Sequence, residues 1–341
     1  MTASGTRPRL DITAVLRLAE LADLVVPYAI RVVCDLRVAD HLVAGPLPGA
    51  ELAERTGADP GALERVLRAL AGKGIFTEVE PGTFALTPLA QPLRSDHPVS
   101  LRAAYPLLPA DSRAWARFDH SVRTGESAFE LVHGTDYWSY LTRNPGEAER
   151  FDGSQAAATR LELRAVLQGY DGWADLRTVV DVGGGNGAFL AGLLARLPGL
   201  SGTVLDLPHV VAGAGEVFDG LGVADRARAV GGSFFDGVPA GADAYLLKRV
   251  LYHWSDERAL ELLRAVRAGM RPDSRLLLLE PVVTPGDSAE VGRSYDLILL
   301  AMAGGGARSA EQIDALLTQA GLRRTRLVPT LVFPVVEAGP A

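Results

Sequence analysis

Thr178-Val179-Val180-Asp181-Val182-Gly183-Gly184-Gly185-Asn186-Gly187-Ala188-Phe189-Leu190 decides how this chain is read. A short apolar run passes straight into glycines and then into helix-forming residues, which is the pattern of a strand, a tight turn and a helix N-terminus. Glycines at 183, 185 and 187 let the backbone turn sharply and approach a ligand, and the free N–H groups of the following helix face it. About 20 residues further on, a second apolar run, Gly202-Thr203-Val204-Leu205, ends in Asp206, the group expected to hold a ribose diol. A nucleotide cradle is predicted. Gly183-x-Gly185-x-x-Ala188 also satisfies the looser dinucleotide fingerprint of NAD enzymes, so the glycines alone leave the nucleotide open.

The surroundings of the cradle give the fold class. After Gly172 strands alternate with helical stretches, the strands being expected at 178–182, 202–206, 226–230, 244–248 and 275–280, which predicts a doubly wound α/β sheet. The chain then reads as a terminal hairpin, 324–327 and 331–337, around Val328-Pro329-Thr330. An antiparallel last strand of this kind separates the fold from an NAD-binding Rossmann domain. Ser309 with Gln312 forms the capping box of the helix before it.

Upstream the chain is organised differently. Residues 12–44 carry apolar side chains at helical spacing, among them Leu16, Ala19, Ala22, Val26, Ile30 and Val33. So wide an apolar face needs a partner. Ala50 to Thr56 reads as a short helix, Asp59-Pro60 as an N-cap with proline at the first helical position, and 61–74 as a second helix. A hairpin of 75–79 and 83–87, joined through Pro81-Gly82, completes a winged-helix pattern. A DNA-binding regulator is therefore a reading of another class, but the candidate recognition helix offers only Arg65, Arg68 and Lys73 beside Glu64, and packing is the favoured use. Aromatic residues concentrate between Leu101 and Phe151, a helical segment suited to roof a flat apolar ligand, with Phe129 and Trp138 as its candidate contacts.

Composition narrows the function classes. The chain has 341 residues, 48% of them hydrophobic and 22% charged, ample for two cored domains, here read as 1–170 (helical, winged-helix) and 171–341 (Rossmann-like). Its 34 basic and 41 acidic residues leave a net charge of -7, which argues against a surface built for polyanions, so nucleic acid is not an expected partner. Cys34 is the single cysteine, which excludes an intramolecular disulfide and a multi-cysteine zinc site; it reads as a small buried hydrophobe. The six histidines show no metal-ligand spacing, and no metal is expected. With no secretory h-region and no membrane-length apolar run, no membrane partner and a cytoplasmic location are the expectations.

Asp181, Leu205-Asp206-Leu207-Pro208-His209-Val210, Gly232-Ser233-Phe234-Phe235, Lys248-Arg249-Val250-Leu251-Tyr252-His253-Trp254-Ser255-Asp256-Glu257 and Leu279-Glu280-Pro281 follow one another in an order and spacing that resembles the small-molecule O-methyltransferases. These are the caffeate-type plant enzymes and the bacterial natural-product tailoring enzymes, including the anthracycline group. The resemblance implies a class I methyltransferase fold, a homodimer built through the N-terminal helices, and S-adenosyl-L-methionine (SAM) as cofactor with S-adenosyl-L-homocysteine as product. It places Gly183 and Gly185 under the methionine part of SAM, Asp206 at the ribose hydroxyls, and Phe234 and Trp254 beside the adenine, with Ser233 where the family has an acid at the adenine amino group; Asp181, Leu207 and Lys248 are further cofactor contacts it implies. Met302, with Phe129 and Trp138, falls at the substrate.

At the chemistry the resemblance breaks. The family pattern Lys-x-x-x-His-Asp-Trp, with histidine as base, here reads Lys248-Arg249-Val250-Leu251-Tyr252-His253-Trp254, so Tyr252 holds the base position and His253 lies one place later. The family glutamate that orients the base is replaced by Ala307, whereas Glu280 keeps another family acid. His253, Tyr252 and Glu280 are the candidate catalytic residues. Two explanations stand: O-methylation of an acidic phenolic or polycyclic substrate by positioning, with help from His253 or Tyr252, or a SAM-binding scaffold that performs a non-methylating reaction such as hydroxylation or decarboxylation.

Overall fold

The computed structural model describes residues 11–284, 286 and 291–341. The chain divides into two compact units, one ending at Leu107 and one formed by Leu108–Ala341.

In the first unit, α1 (Ile12–Ala22) and α2 (Val25–Asp35) precede the single turn α3 (Val38–His41), the short strand β1 (Leu47–Pro48), α4 (Gly49–Thr56), α5 (Pro60–Ala71), β2 (Phe76–Glu80) and β3 (Thr83–Leu86). Asp59 caps α5 as expected, its carboxylate accepting from the Ala62 N–H at 2.8 Å with Pro60 at the first helical position. The hairpin pairs β2 with β3, and β1 adds to the other edge of β3. Leu52, Leu67, Leu70, Phe76 and Phe84 form its core with Cys34, which is buried and whose thiol burial pushes up to about 11. Helix α1 buries no residue, and Leu16, Leu18, Leu21 and Leu24 on and beside it are each about two-thirds exposed, at 65–69%. The α1 part of the apolar face read from the sequence is thus left exposed, whereas in α2 Val33 is buried and Val26 and Ile30 pack against the core.

The second unit opens with five helices, α6 (Pro109–Trp115), α7 (Phe118–Thr124), α8 (Ala128–His133), α9 (Tyr137–Arg143) and α10 (Pro145–Gly169). The sequence boundary at 170 follows the onset of strand alternation, but packing joins 108–169 to the sheet. Leu163 and Val166 of α10 lie in one apolar cluster with Phe189, Leu190 and Leu193 of α11 (Ala188–Arg196), which follows β4 (Thr178–Val182). The remaining elements are β5 (Ser201–Asp206), α12 (Pro208–Val211), α13 (Ala214–Gly220), β6 (Ala227–Gly231), β7 (Ala244–Lys248), α14 (Asp256–Gly269), β8 (Arg275–Leu279), α15 (Val291–Met302), α16 (Ala310–Gln319), β9 (Leu322–Val328) and β10 (Val335–Pro340).

The sheet has the order β6-β5-β4-β7-β8-β10-β9, parallel except where β10 runs against β8 and β9. This is the doubly wound sheet with an antiparallel last strand that the alternation predicted. Ser309 and Gln312 make the expected capping box on α16. The last strand is displaced along the chain, running Val335–Pro340 rather than 331–337. The Thr330 hydroxyl donates to the Phe333 carbonyl at 2.6 Å and accepts from the Val332 N–H at 3.2 Å, so 330–333 is held as a turn. Among the described residues no helix is long and apolar enough to cross a membrane.

Gly202 shows how closely α11 sits on the sheet, since a Cβ there would collide with Leu190, itself 0% exposed. Gly202→Ala alone is expected to cost about 1–3 kcal/mol by overpacking and Leu190→Ala alone about 2–5 kcal/mol by leaving a cavity. In the double variant the new methyl enters the space vacated, so its destabilisation in urea should fall below the sum of the two; simple additivity would show that the two side chains do not share that space.

Candidate functional site

Strand β4 is paired with β5 on one side and β7 on the other, and the chain winds away from it in both directions. In sheets of this kind ligands bind outside the carboxyl ends of the strands at such a reversal, and the glycine turn, Asp206 and Lys248 lie at those ends of β4, β5 and β7.

The glycine turn is built as expected. Gly183, Gly185 and Gly187 have φ of +71°, +64° and +79°, a region closed to most side chains, and Gly187 caps α11. Gly184 allows a close approach of another kind: a Cβ there would lie 2.5 Å from the Asp181 carboxylate. Asp206 is fixed over this turn, one oxygen accepting from the Gly185 N–H at 2.8 Å and the other from the Leu207 N–H at 2.7 Å. Beside it, the Gly232 N–H donates to the Asp206 carbonyl, bringing the end of β6 and its Ser233-Phe234 against the cradle. Phe234 and Trp254 meet nearly edge to face, with centroids 6.0 Å apart, while the Ser233 hydroxyl accepts from the Phe235 N–H.

Asp181 is the most informative single group. It is wholly buried at the end of β4, and neither carboxylate oxygen has a hydrogen-bond partner among the described residues. Burial pushes its pKa up to about 7; Lys248 works in the opposite direction and Asp206 adds to the rise. A buried acid without a partner costs several kcal/mol unless something neutralises it or donates to it. Asp181 lies beneath the glycine turn, with Gly184 packed directly against its carboxyl group.

The second side of the site is the turn after β7. Arg249 adopts φ +58°, which for a residue other than glycine requires enforcement by its surroundings. Its N–H donates to the Leu279 carbonyl, and Glu280 then receives both the Val250 N–H (3.1 Å) and the Leu251 N–H on one oxygen. Glu280 therefore holds the turn. Burial pushes its pKa up to about 7 against the pull of these donors and of Arg308. Arg308 closes the other side, donating to the Leu251 and Trp254 carbonyls and pairing with Asp256 at 2.9 Å. Finally the Gly306 N–H reaches the Tyr252 carbonyl at 3.0 Å, and a Cβ on Gly305 would collide with that same carbonyl.

These contacts place the candidate catalytic residues. Tyr252 is 1% exposed, and its hydroxyl accepts from Arg249 Nε at 2.8 Å. Burial raises its pKa above the ordinary phenol value even beside that guanidinium. His253 packs edge-on to Trp138, with ring centroids 5.1 Å apart, and its Nδ1 is buried without a partner among the described residues. Burial, aided by the Arg249 charge, pushes its pKa down to about 3. Trp138 is 41% exposed, whereas Phe129 and Met302 belong to the buried cluster behind it with Tyr137 and Leu141.

Lys248 points into α10, its ammonium 3.0 Å from Glu162 and 3.3 Å from Thr159. Glu162, Arg249 and Arg308 carry no role in the sequence reading. Only Glu162 left a signal there, a charge on the same helical stripe as Ala165 and Val166, which are buried.

Comparison with known proteins agrees with this arrangement. Residues 115–323 match the model of an O-methyltransferase domain and residues 19–96 that of an O-methyltransferase dimerisation domain. A phenazine O-methyltransferase from Lysobacter antibioticus is 40% identical over 92% of this chain and 93% of its own length. An aclacinomycin 10-hydroxylase from Streptomyces purpurascens is 37% identical over 93% of this chain and 87% of its own. Among solved structures, an O-methyltransferase from neocarzinostatin biosynthesis, in complex with S-adenosyl-L-homocysteine and 1,4-dihydroxy-2-naphthoic acid, superposes with a TM-score of 0.78 at 37% identity, covering 95% of this chain and 98% of that one.

The lone acid at 181 has a consequence for stability. Because its folded pKa lies above the unfolded value of about 3.8, the folded state keeps a proton that the unfolded chain releases, and stability is lost as pH rises from that value through about 7. Asp181→Asn should remove this loss, so the ligand-free variant gains on the parent in urea midpoint at pH 8 relative to pH 5. An equal difference at both pH values would mean that Asp181 is already paired in the folded protein.

Proposed function

The chain belongs to the O-methyltransferase family, and from that premise we propose that it transfers the methyl group of SAM to the hydroxyl of a phenolic or polycyclic aromatic natural-product intermediate. The observation that carries this reading is the pairing of a cradle suited to SAM with an aromatic wall directly opposite the turn after β7. The orphaned carboxylate of Asp181, the positive-φ glycines and the fixed carboxylate of Asp206 fit a ligand that brings ammonium, sulfonium and ribose hydroxyl groups. Gly183, Gly185 and Asp181 would hold its methionine part, Asp206 and Leu207 its ribose, and Ser233, Phe234 and Trp254 its adenine, with Lys248 at the edge of the site. When bound, SAM supplies the electrophilic methyl group.

What remains for the protein is to align the acceptor, exclude water and manage one proton. Alignment is worth up to about 7–11 kcal/mol and a general base roughly 10²- to 10⁴-fold, so alignment is the larger share. Trp138 offers the flat surface, held edge to face by Tyr137 and Phe151, and Phe129 and Met302 lie in the buried cluster that includes Tyr137. His253 stays neutral throughout the working pH range, so its part is to orient the acceptor's hydroxyl by a hydrogen bond rather than to take its proton. Tyr252 keeps its own proton and serves to shape the turn, and Glu280 positions that turn through the backbone. A second reading, a non-methylating reaction on the same scaffold, is favoured by one observation, the similarity to the aclacinomycin 10-hydroxylase.

Turnover of hydroxynaphthoate acceptors with SAM carrying a trideuterated methyl group is expected to give products heavier by one such group, and His253→Ala to lower kcat. Products without added methyl mass favour the second reading. An unchanged kcat and pH profile in the variant would leave alignment as the whole of the protein's contribution.

The same family match suggests a homodimer formed through the exposed leucines of α1. Leu18→Glu with Leu21→Glu should shift the sedimenting species from dimer to monomer; a dimer that survives both charges would place the interface elsewhere.

A further inference from the structure

Helix α10 is attached to the candidate site at two places. Around its first turns it is tied to α9, which carries Trp138: the Tyr140 hydroxyl donates to Glu147 at 3.1 Å, the Asn144 amide donates to the Tyr140 carbonyl at 2.8 Å, and the Phe151 ring lies edge-on to Trp138 with centroids 5.8 Å apart. Farther along it is tied to the end of β7. Glu162, whose side chain is 3% exposed, accepts from Lys248 on one oxygen at 3.0 Å and from Arg249 on the other at 3.3 Å. Arg249 is the left-handed residue of the turn that follows, and its guanidinium also donates to the Tyr252 hydroxyl.

The helix joins these attachments into one circuit. Phe151 and Glu162 differ by about 20° in direction around a regular α-helix and stand about 16 Å apart along it, so both project from the same face. From Glu162 the path runs through Arg249 into the turn, along the turn to His253, across to the Trp138 ring at 5.1 Å, and through Phe151 back to α10. A stiff element fixed to the aromatic wall at one end and to the turn at the other sets where the two stand relative to each other. Glu162 is the charged link of this circuit. Because its two oxygens grip two successive residues, it fixes the end of β7 in direction as well as in distance, and charge-assisted bonds of this kind are stronger than neutral ones.

We propose that Glu162 is a positioning residue of the acceptor site, which through α10 holds Trp138 in register with the turn that carries His253. This rests on the acceptor site proposed above and adds to it a residue that acts through the wall and the turn.

The test uses the full-length protein with 5-fluorotryptophan at its four tryptophans, read by fluorine NMR without ligand. The resonances of Trp138 and Trp115 are identified by their loss in Trp138→Phe and Trp115→Phe. Glu162→Gln keeps the shape of the side chain and removes its charge; it should shift or broaden the Trp138 resonance and leave that of Trp115, which packs on Phe118 instead. Glu162→Asp keeps the charge but draws the carboxylate back by one methylene, should displace the same resonance, and decides the matter if Glu162→Gln does not fold. A Trp138 resonance that stays in place, or that moves only together with that of Trp115, overturns the proposal. In turnover with hydroxynaphthoate acceptors, Glu162→Gln and Trp138→Ala should each lower kcat/KM for the acceptor roughly 10- to 100-fold, and the double variant by clearly less than the product of the two factors, since one change removes the ring that the other misplaces. Factors that simply multiply mark a merely structural ion pair and overturn the proposal as well. Because the resonance is read without ligand or turnover, absence of methyl transfer is told apart from failure of the positioning role.

Discussion

The left-handed turn at Arg249 is the constraint on which the site depends. A non-glycine residue in that conformation costs about 1–2 kcal/mol, so the surroundings must hold it. They do so from three directions: Glu280 binds the N–H groups of Val250 and Leu251, Arg308 binds the carbonyls of Leu251 and Trp254, and Gly306 binds the carbonyl of Tyr252. The turn in turn sets Val250 under Gly183, where a Cβ on the glycine would come within 2.8 Å of a valine methyl. The glycine turn and the turn after β7 are thus one packed object, and a change in either displaces the other.

Buried charge is distributed unevenly over this object. Among the described residues Asp181 has no hydrogen-bond partner, Glu280 accepts from backbone N–H groups alone, and Glu162 has two cations. Desolvation wins at the first two, raising both acids to about 7. At Arg249 the outcome is reversed. Burial works against the guanidinium, yet Tyr252, Glu162 and Tyr295 hold its pKa above the ordinary arginine value. The acids at 181 and 280 are thus readily neutralised, whereas the guanidinium of Arg249 keeps its charge.

Much of this was legible in the sequence because it rests on local rules. The strand–glycine–helix unit at 178–190, the N-cap at Asp59, the capping box at Ser309 and the alternation of strands and helices each follow from residues close together in the chain. What was not legible depends on side chains brought together from afar. Glu162 meets Lys248 and Arg249 across more than eighty residues, and Arg308 reaches back over fifty to the Leu251 turn. The misplaced start of the last strand has a smaller cause, a threonine hydroxyl that competes with the ladder for backbone partners.

The substitution of tyrosine and histidine at the family's catalytic register has a physical reading once the turn is seen whole. A histidine at 252 would occupy a site that is 1% exposed beside a guanidinium, an environment that disfavours the protonated imidazole a base must become. Tyr252 suits that site because its hydroxyl accepts from Arg249 and loses no proton. Its neighbour His253 lies nearer the aromatic wall but feels the same charge, which leaves it a weak base. The guanidinium of Arg249 thus disfavours a protonated imidazole at either position of this turn, and the tyrosine, which gains a hydrogen bond from that guanidinium, is the residue that fits beside it.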